Sequence, residues 1–466
     1  MHVSRLKDIN RRIFLQRTGQ LAILGSASSF SLGLAGLGEA SASTSTNDYK
    51  ALVCVFLYGG NDHANTILPS DAENYAKYRS ERGSIALERE ELLNTVLTLP
   101  DELKVTDDIK YSLNPALSRM AKKFHDGNLA PVLNVGPLAA PLTKAEFEHP
   151  NNSSFPRPSK LFSHNDQQST WQSFSPEGKK SGWGGRIADL AQSANQNAVF
   201  TSINATGNAI FMSGDVTVPF KVGFSGAKRA FGLTNLYGSK AAGDAMRKIL
   251  GTHHSHAFEQ DYCTMTERSL KYGSLINDAF HSKRINTQFN QKNSLAKQLE
   301  VVARMIAGRE QLGVSRQVFM VSLGGFDHHA NLLKRHESCL TQLDEALSAF
   351  YSATVELGVS SQVTTFTASD FGRTLTSNGD GSDHGWGGHH FVLGGAVRGG
   401  TLYGRAPHIS TKSDDQVGRG RLLPTTSVDE LSSTLGLWMG VSSSDLSRIA
   451  PNIGRFSQPN LGFMKM

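Results

Sequence analysis

The chain has 466 residues, 39% apolar and 19% charged, with a formal net charge of +6. That is enough apolar material for a core and argues against a disordered chain. Half of the excess charge falls in residues 1–42, and no Lys/Arg block interleaved with aromatics follows, which argues against a nucleic-acid-binding face.

In chain order, the first element is a targeting segment. "NRRIFLQ" (10–16) precedes a Gly/Ser-rich apolar run, and "ASA" (40–42) follows it. Basic region, apolar stretch and small-residue cleavage site are the order of a secretory signal. The pair Arg11–Arg12 with Phe14 and Leu15 resembles a twin-arginine signal. The run is barely long enough to span a bilayer. We therefore expect a cleaved signal over 1–42, a periplasmic or secreted protein, and no membrane span after cleavage.

Short apolar runs at 51–57, 130–135, 318–323, 363–368 and 391–397 lack strict polar alternation, as strands buried on both faces do. Helical spacing lies between them, at "NPALSRMAKKFH" (114–125), 294–309 and 332–357. Strand–helix repetition predicts an α/β fold with a doubly wound, mostly parallel sheet. The stretch 199–290 reads as an irregular, β-rich insertion or cap in one elaborated domain over 43–466. Cys54, Cys263 and Cys339 are odd in number and widely spaced, so one disulfide is open to them but no pairing can be read. Cys54, inside "ALVCVFL", reads as a buried thiol.

The chemistry gathers at strand ends. The first strand runs into "YGGNDHAN", with Asp62 and His63. The strand at 318–323 runs into "GGFDHHAN", with Asp327, His328 and His329. The strand at 363–368 runs into Asp370, and the segment it opens delivers Asp383, His384, His389 and His390 before the next strand. Loops beyond the carboxyl ends of parallel strands converge on one rim, where ligands bind. Carboxylate and imidazole together suit Zn²⁺, Mn²⁺ or Fe rather than Ca²⁺ or Mg²⁺. A single Asp in a Gly-rich loop is usually a turn former, but here the pattern recurs after three strands. Neighbouring histidines alternate faces in extended backbone, so one of His389 and His390 should face the site and the other pack. The cluster His253, His254 and His256 has no nearby Asp and reads as solvated. There is no G-x-S-x-G nucleophile elbow, and "DFG" lacks the other kinase motifs.

"FLYGGNDHANTILP", "LFSHNDQQSTWQS", "GWGGRIADL", "SLGGFDHHANL", "SDFGRTLTSNGDGSDHGWGGHHFVLGGAVRGG" and "LLPTTSVDELSSTLGLWMG" resemble, in order and over nearly all of the mature chain, the DUF1501 family of exported bacterial proteins. Members look like relatives of the alkaline phosphatase and sulfatase superfamily. The resemblance implies an alkaline phosphatase-like sheet with one or two divalent ions, Zn or Mn, at the strand ends. It makes Asp62 the first-strand metal ligand, Asp327 and His329 later ligands, and Asp370 the acid of an Asp–His pair. Phe371 stands where that His is usual, so His384 or His389 would replace it. Ser163, at the start of a helix, is the implied nucleophile; no C-x-P-x-R is present for a formylglycine. Arg373 would clamp an anionic group through its forked donors. These features predict an exported metal-dependent hydrolase of phosphate or sulfate esters acting on an anionic small-molecule or polymer substrate. The competing expectation is a non-catalytic binding or assembly protein on a degenerate hydrolase fold, working with a DUF1800-family partner.

Overall fold

The computed structural model describes residues 48–466 except 100–108, 151–153, 208, 228–232, 234 and 253–255. The expected signal over 1–42 and the histidines at 253 and 254 lie outside the described residues.

The strands that matter are β1 (Lys50–Leu57), β2 (Leu129–Gly136), β3 (Ser202–Asn204), β4 (Phe220–Lys221), β5 (Arg316–Leu323), β6 (Val363–Ser369), β7 (Arg373–Ser377), β8 (Ser382–His384), β9 (Gly388–Leu393), β10 (Gln416–Val417), β11 (Arg421–Leu422) and β12 (Thr426–Ser427). Eight of them form one sheet in the order β12–β2–β9–β6–β1–β5–β3–β4. All run parallel except β9, which is antiparallel to both β2 and β6. The run expected to continue to 397 ends as a strand at Leu393, before the Gly394–Gly395 pair.

The longer helices are α1 (Ala72–Arg82), α2 (Ser118–His125), α3 (His164–Ser173), α4 (Trp183–Ala191), α5 (Lys240–Leu250), α6 (Ala257–Phe280), α7 (Ser294–Ala307), α8 (Leu332–Glu356) and α9 (Val428–Met439). β1 shows why its sequence lacks polar alternation. Ala51, Val53, Val55 and Leu57 join one core with apolar residues of α2, α7 and α8. Leu52, Cys54 and Phe56 join a second core, on the other side of the strand, with Trp171 of α3, Ile187 of α4 and Leu431 of α9. Successive side chains point to opposite faces, so a sheet covered on both sides needs apolar residues at every position.

Local sequence sets the helix starts. Asn293 accepts hydrogen bonds from the Leu295 and Ala296 amides at the head of α7. Ser427 and Glu430 exchange hydrogen bonds with each other's backbone amides at the head of α9.

The stretch 199–290 corrects the sequence reading. It holds only two short described strands, β3 and β4, whereas α5 and α6 run for 11 and 24 residues. The helical pattern of α6 is obscured because about half of its residues are polar or charged and interrupt the apolar period. All three cysteines are buried and free. No helix among the described residues is long and apolar enough to cross a membrane.

Candidate metal centre

β5, β1 and β6 lie side by side at the middle of the sheet, so the loops beyond their carboxyl ends meet. Gly59 and Gly60 make that meeting possible. Both have positive φ, and a Cβ on Gly59 would lie 2.4 Å from the Asp327 amide nitrogen, one on Gly60 2.5 Å from the Phe371 ring. Only glycine tolerates both the conformation and the approach. The loops are then stitched together. The Asn61 amide donates to Ser369 Oγ, Ser369 Oγ to the Leu57 carbonyl, and the Phe326 amide to the Tyr58 carbonyl.

The segment 370–390 closes over this rim as the β7–β8 hairpin, in which Arg373 pairs with His384. It then enters β9. Because β9 runs against the other strands, its first residues lie at the same rim as the last residues of β1, β5 and β6. That is why residues preceding a strand join residues that follow three others.

Three side chains converge. One atom each from His164, Asp327 and His384 lies within 4.8 Å of the other two, a grouping able to hold a metal ion. His164 Nε2 is 3.6 Å from Asp327 Oδ2, and His384 Nε2 is 3.5 Å from Asp327 Oδ1. The outward nitrogens are held. His164 Nδ1 lies 2.7 Å from Asp370 Oδ2, and His384 Nδ1 lies 2.8 Å from the Phe162 carbonyl oxygen. A carboxylate or carbonyl oxygen accepts, so both rings donate from Nδ1 and turn Nε2 toward Asp327. His164 Nε2 is buried and has no hydrogen-bond partner among the described residues. Imidazoles fixed through one nitrogen, with the other directed at a carboxylate, are the arrangement metal-binding histidines show, so this donor set fits a divalent transition-metal ion.

The charges are tuned around it. The Asp370 hydrogen bond raises the His164 pKa against the opposing effect of burial. Burial lowers that of His384, which favours a neutral ring with its lone pair on Nε2. Burial alone would raise Asp327, but the hydrogen bond and charge of Arg373 outweigh it and keep the carboxyl below its usual range.

The residues singled out from sequence fall in different places. Asp327, His329 and His384 come together; His329 Nε2 lies 3.0 Å from both Asp327 Oδ1 and His384 Nε2. Asp370 is fully buried and reaches the cluster only through His164; its Oδ2 also accepts from Gln168. Asp62 is fully buried and paired with Arg82 of α1 through Oδ2. His389 is buried apart, accepting the Asn134 amide at Nδ1 with its ring against His63, and burial lowers its pKa to about 4. His390 turns the other way, onto Trp171. Arg373 is buried with its donors occupied: Nε on Ser382 Oγ, Nη1 on the Gly59 carbonyl and Asp327, Nη2 on the Ser382 carbonyl. Ser163 occupies the N-cap of α3 but caps no amide; its Oγ donates to Asp166 Oδ2 at 2.9 Å.

His164 was not singled out. It follows Ser163 in "LFSHND", and a His at the head of a helix beyond β2 is the feature that marks it. Arg419 and Arg421, in "VGRGR", were also passed over; glycines flanking arginines in a turn between two short strands were the available clue.

Fold and site together define an α/β protein with a His–Asp cluster at the carboxyl rim of a mostly parallel sheet. The chain belongs to the DUF1501 family, described as a protein of unknown function, whose model matches residues 49–448. No curated protein matches it. Among solved structures it is similar to Ps i-CgsB in complex with k-i-k-neocarrahexaose, at 10% identity and TM-score 0.35, covering 88% of this chain and 77% of that one. It is also similar to a protein described under the metabolism of multiple glycosaminoglycans by Bacteroides thetaiotaomicron, at 9% identity and TM-score 0.33, covering 85% and 74%.

Proposed function

We propose that this protein is an exported, metal-dependent hydrolase of phosphate or sulfate esters, built on an alkaline phosphatase-like sheet. The observation that carries the reading is the paired orientation of His164 and His384. Each is anchored through Nδ1 and presents Nε2 to Asp327, and the His164 nitrogen has no hydrogen-bond partner among the described residues.

In this reading His164, Asp327 and His384 hold a divalent Zn or Mn ion. Such an ion would neutralise charge on the ester oxygens and lower the pKa of a hydroxyl or water beside it. The chain does the rest. Asp370 fixes the His164 ring, the Phe162 carbonyl fixes His384, and Arg373 fixes Asp327. Ser163, next to His164, offers a hydroxyl that donates to Asp166 Oδ2 and would be the nucleophile beside the ion.

The test is metal content of the purified full chain, followed by Zn²⁺ and Mn²⁺ titration of the apo protein and of the Asp327→Asn and His384→Ala variants. Wild type should hold about one ion per chain or more, and each variant should bind at least tenfold more weakly. Aryl phosphate and aryl sulfate hydrolysis should fall in parallel. Wild-type protein that takes up neither metal at micromolar concentration refutes the reading.

A further inference from the structure

Beside the cluster lies a cleft of about 350 Å³ lined by Phe162, His329, Asp383, His384, Arg419 and Arg421. Its two arginines differ from Arg373 in one respect. Arg373 has its donors occupied inside the fold, whereas Arg421 uses only Nε, which donates to the His384 carbonyl at 3.0 Å. Among the described residues neither Nη of Arg421 has a hydrogen-bond or ion-pair partner, and the Arg419 side chain has none.

Arg421 is nonetheless held in place. Its guanidinium lies over the Phe162 ring, 4.3 Å from the centroid. The Phe162 carbonyl accepts from His384 Nδ1, and the His384 carbonyl accepts from Arg421. Phe162, His384 and Arg421 thus form a closed ring of contacts. An arginine fixed by stacking and through Nε presents its remaining donors as a preformed fork for a planar or tetrahedral oxyanion. Burial lowers the Arg421 pKa, the Asp383 charge opposes that, and Arg419 adds a second positive charge close enough to lower it further by a smaller amount. Two guanidiniums sharing a cleft with one acidic neighbour, Asp383, leave a local excess of positive charge for an anion to fill.

We propose that Arg421, with Arg419, forms an anion-recognition arm that takes a tetrahedral oxyanion, a sulfate or phosphate monoester, against the His384 side of the cluster. The substrate class rests on the hydrolase reading; the anion site itself stands on the cleft and its open donors.

The test is calorimetric titration of the full chain with inorganic sulfate and, separately, inorganic phosphate, in the zinc-loaded and chelator-treated states. Arg421→Gln should weaken the better-bound anion at least tenfold in either state. Arg421→Lys, which keeps the charge but loses the fork, should lie between, and Arg419→Gln should weaken it several-fold. The anion that binds more tightly to wild type identifies the ester type. Affinities within twofold of wild type in Arg421→Gln overturn the proposal. Should thermal melting show that variant unfolded, Arg421→Lys and Arg419→Gln decide, and unchanged affinity in both overturns it. Zinc content is read on the same samples. Arg421-dependent anion binding in a chain that takes up no metal removes the metal reading and leaves the arm standing; metal uptake with Arg421-independent anion binding does the reverse.

Discussion

At the scale of single residues, the centre is organised by groups that stand one step back from it. Asp370 is fully buried and meets the cluster only through His164. Partners of this kind set ring orientation and basicity, and their loss typically lowers metal affinity 10- to 100-fold. Asp370→Asn should therefore weaken Zn²⁺ binding by about that factor while the protein stays folded, as isothermal titration and a melting curve would show together. Asp327 and His384 were legible in the sequence because strand ends followed by Gly, Asp and His leave acids and imidazoles at a rim. The Asp62 partnership was not, because Arg82 sits on a helix whose docking no local pattern specifies. His164 escaped for a related reason: the Ser beside it explains a helix start without any chemistry, so nothing in the spacing drew attention to the ring.

At the scale of elements, the rim depends on loops passing closer together than side chains allow. Gly59 has φ of +116° and faces the Asp327 backbone, whereas Gly379 has φ of +136° with open space around it. Alanine at either position is strained by conformation and costs more than about 1 kcal/mol. Only Gly59→Ala should also displace Asp327 and weaken cation binding, while Gly379→Ala should leave it unchanged. Parallel metal titrations and denaturant melts of the two variants separate steric approach from backbone strain. The strands were readable because continuous apolar runs are what a doubly covered sheet demands. The direction of β9 was not, since a short apolar run carries no polarity. The helices of the 199–290 stretch were hidden by polar and glycine residues that blur the 3.6-residue period.

At the scale of the whole molecule, stability itself should report one buried acid. Asp429, in the first turn of α9, is driven from 3.8 to about 6 chiefly by burial, against hydrogen bonds from Asn452 that favour the charged form. A carboxyl whose folded pKa lies above its unfolded value binds its proton more tightly when folded. Its contribution is therefore greatest below about pH 4, is lost as pH rises to about 6, and is flat beyond. At about 1.4 kcal/mol per pKa unit, the loss is on the order of 3 kcal/mol at most. Urea unfolding at pH 4 and pH 7 should show Asp429→Asn gaining on wild type by up to that amount at the higher pH. A difference between the two proteins that does not change with pH would contradict this assignment.

The convergence of His164, Asp327 and His384 also has a consequence in time. These positions are spread over nearly half the chain, and no local segment brings any two of them together. Contacts of such long sequence separation form late, after the loops between them have closed. A nascent or half-threaded polypeptide that still lacks its final quarter has no third ligand to offer. On the metal-dependent reading proposed above, ion capture would belong to the finished protein, and the compartment in which folding ends would decide which metal is on hand when the last ligand arrives.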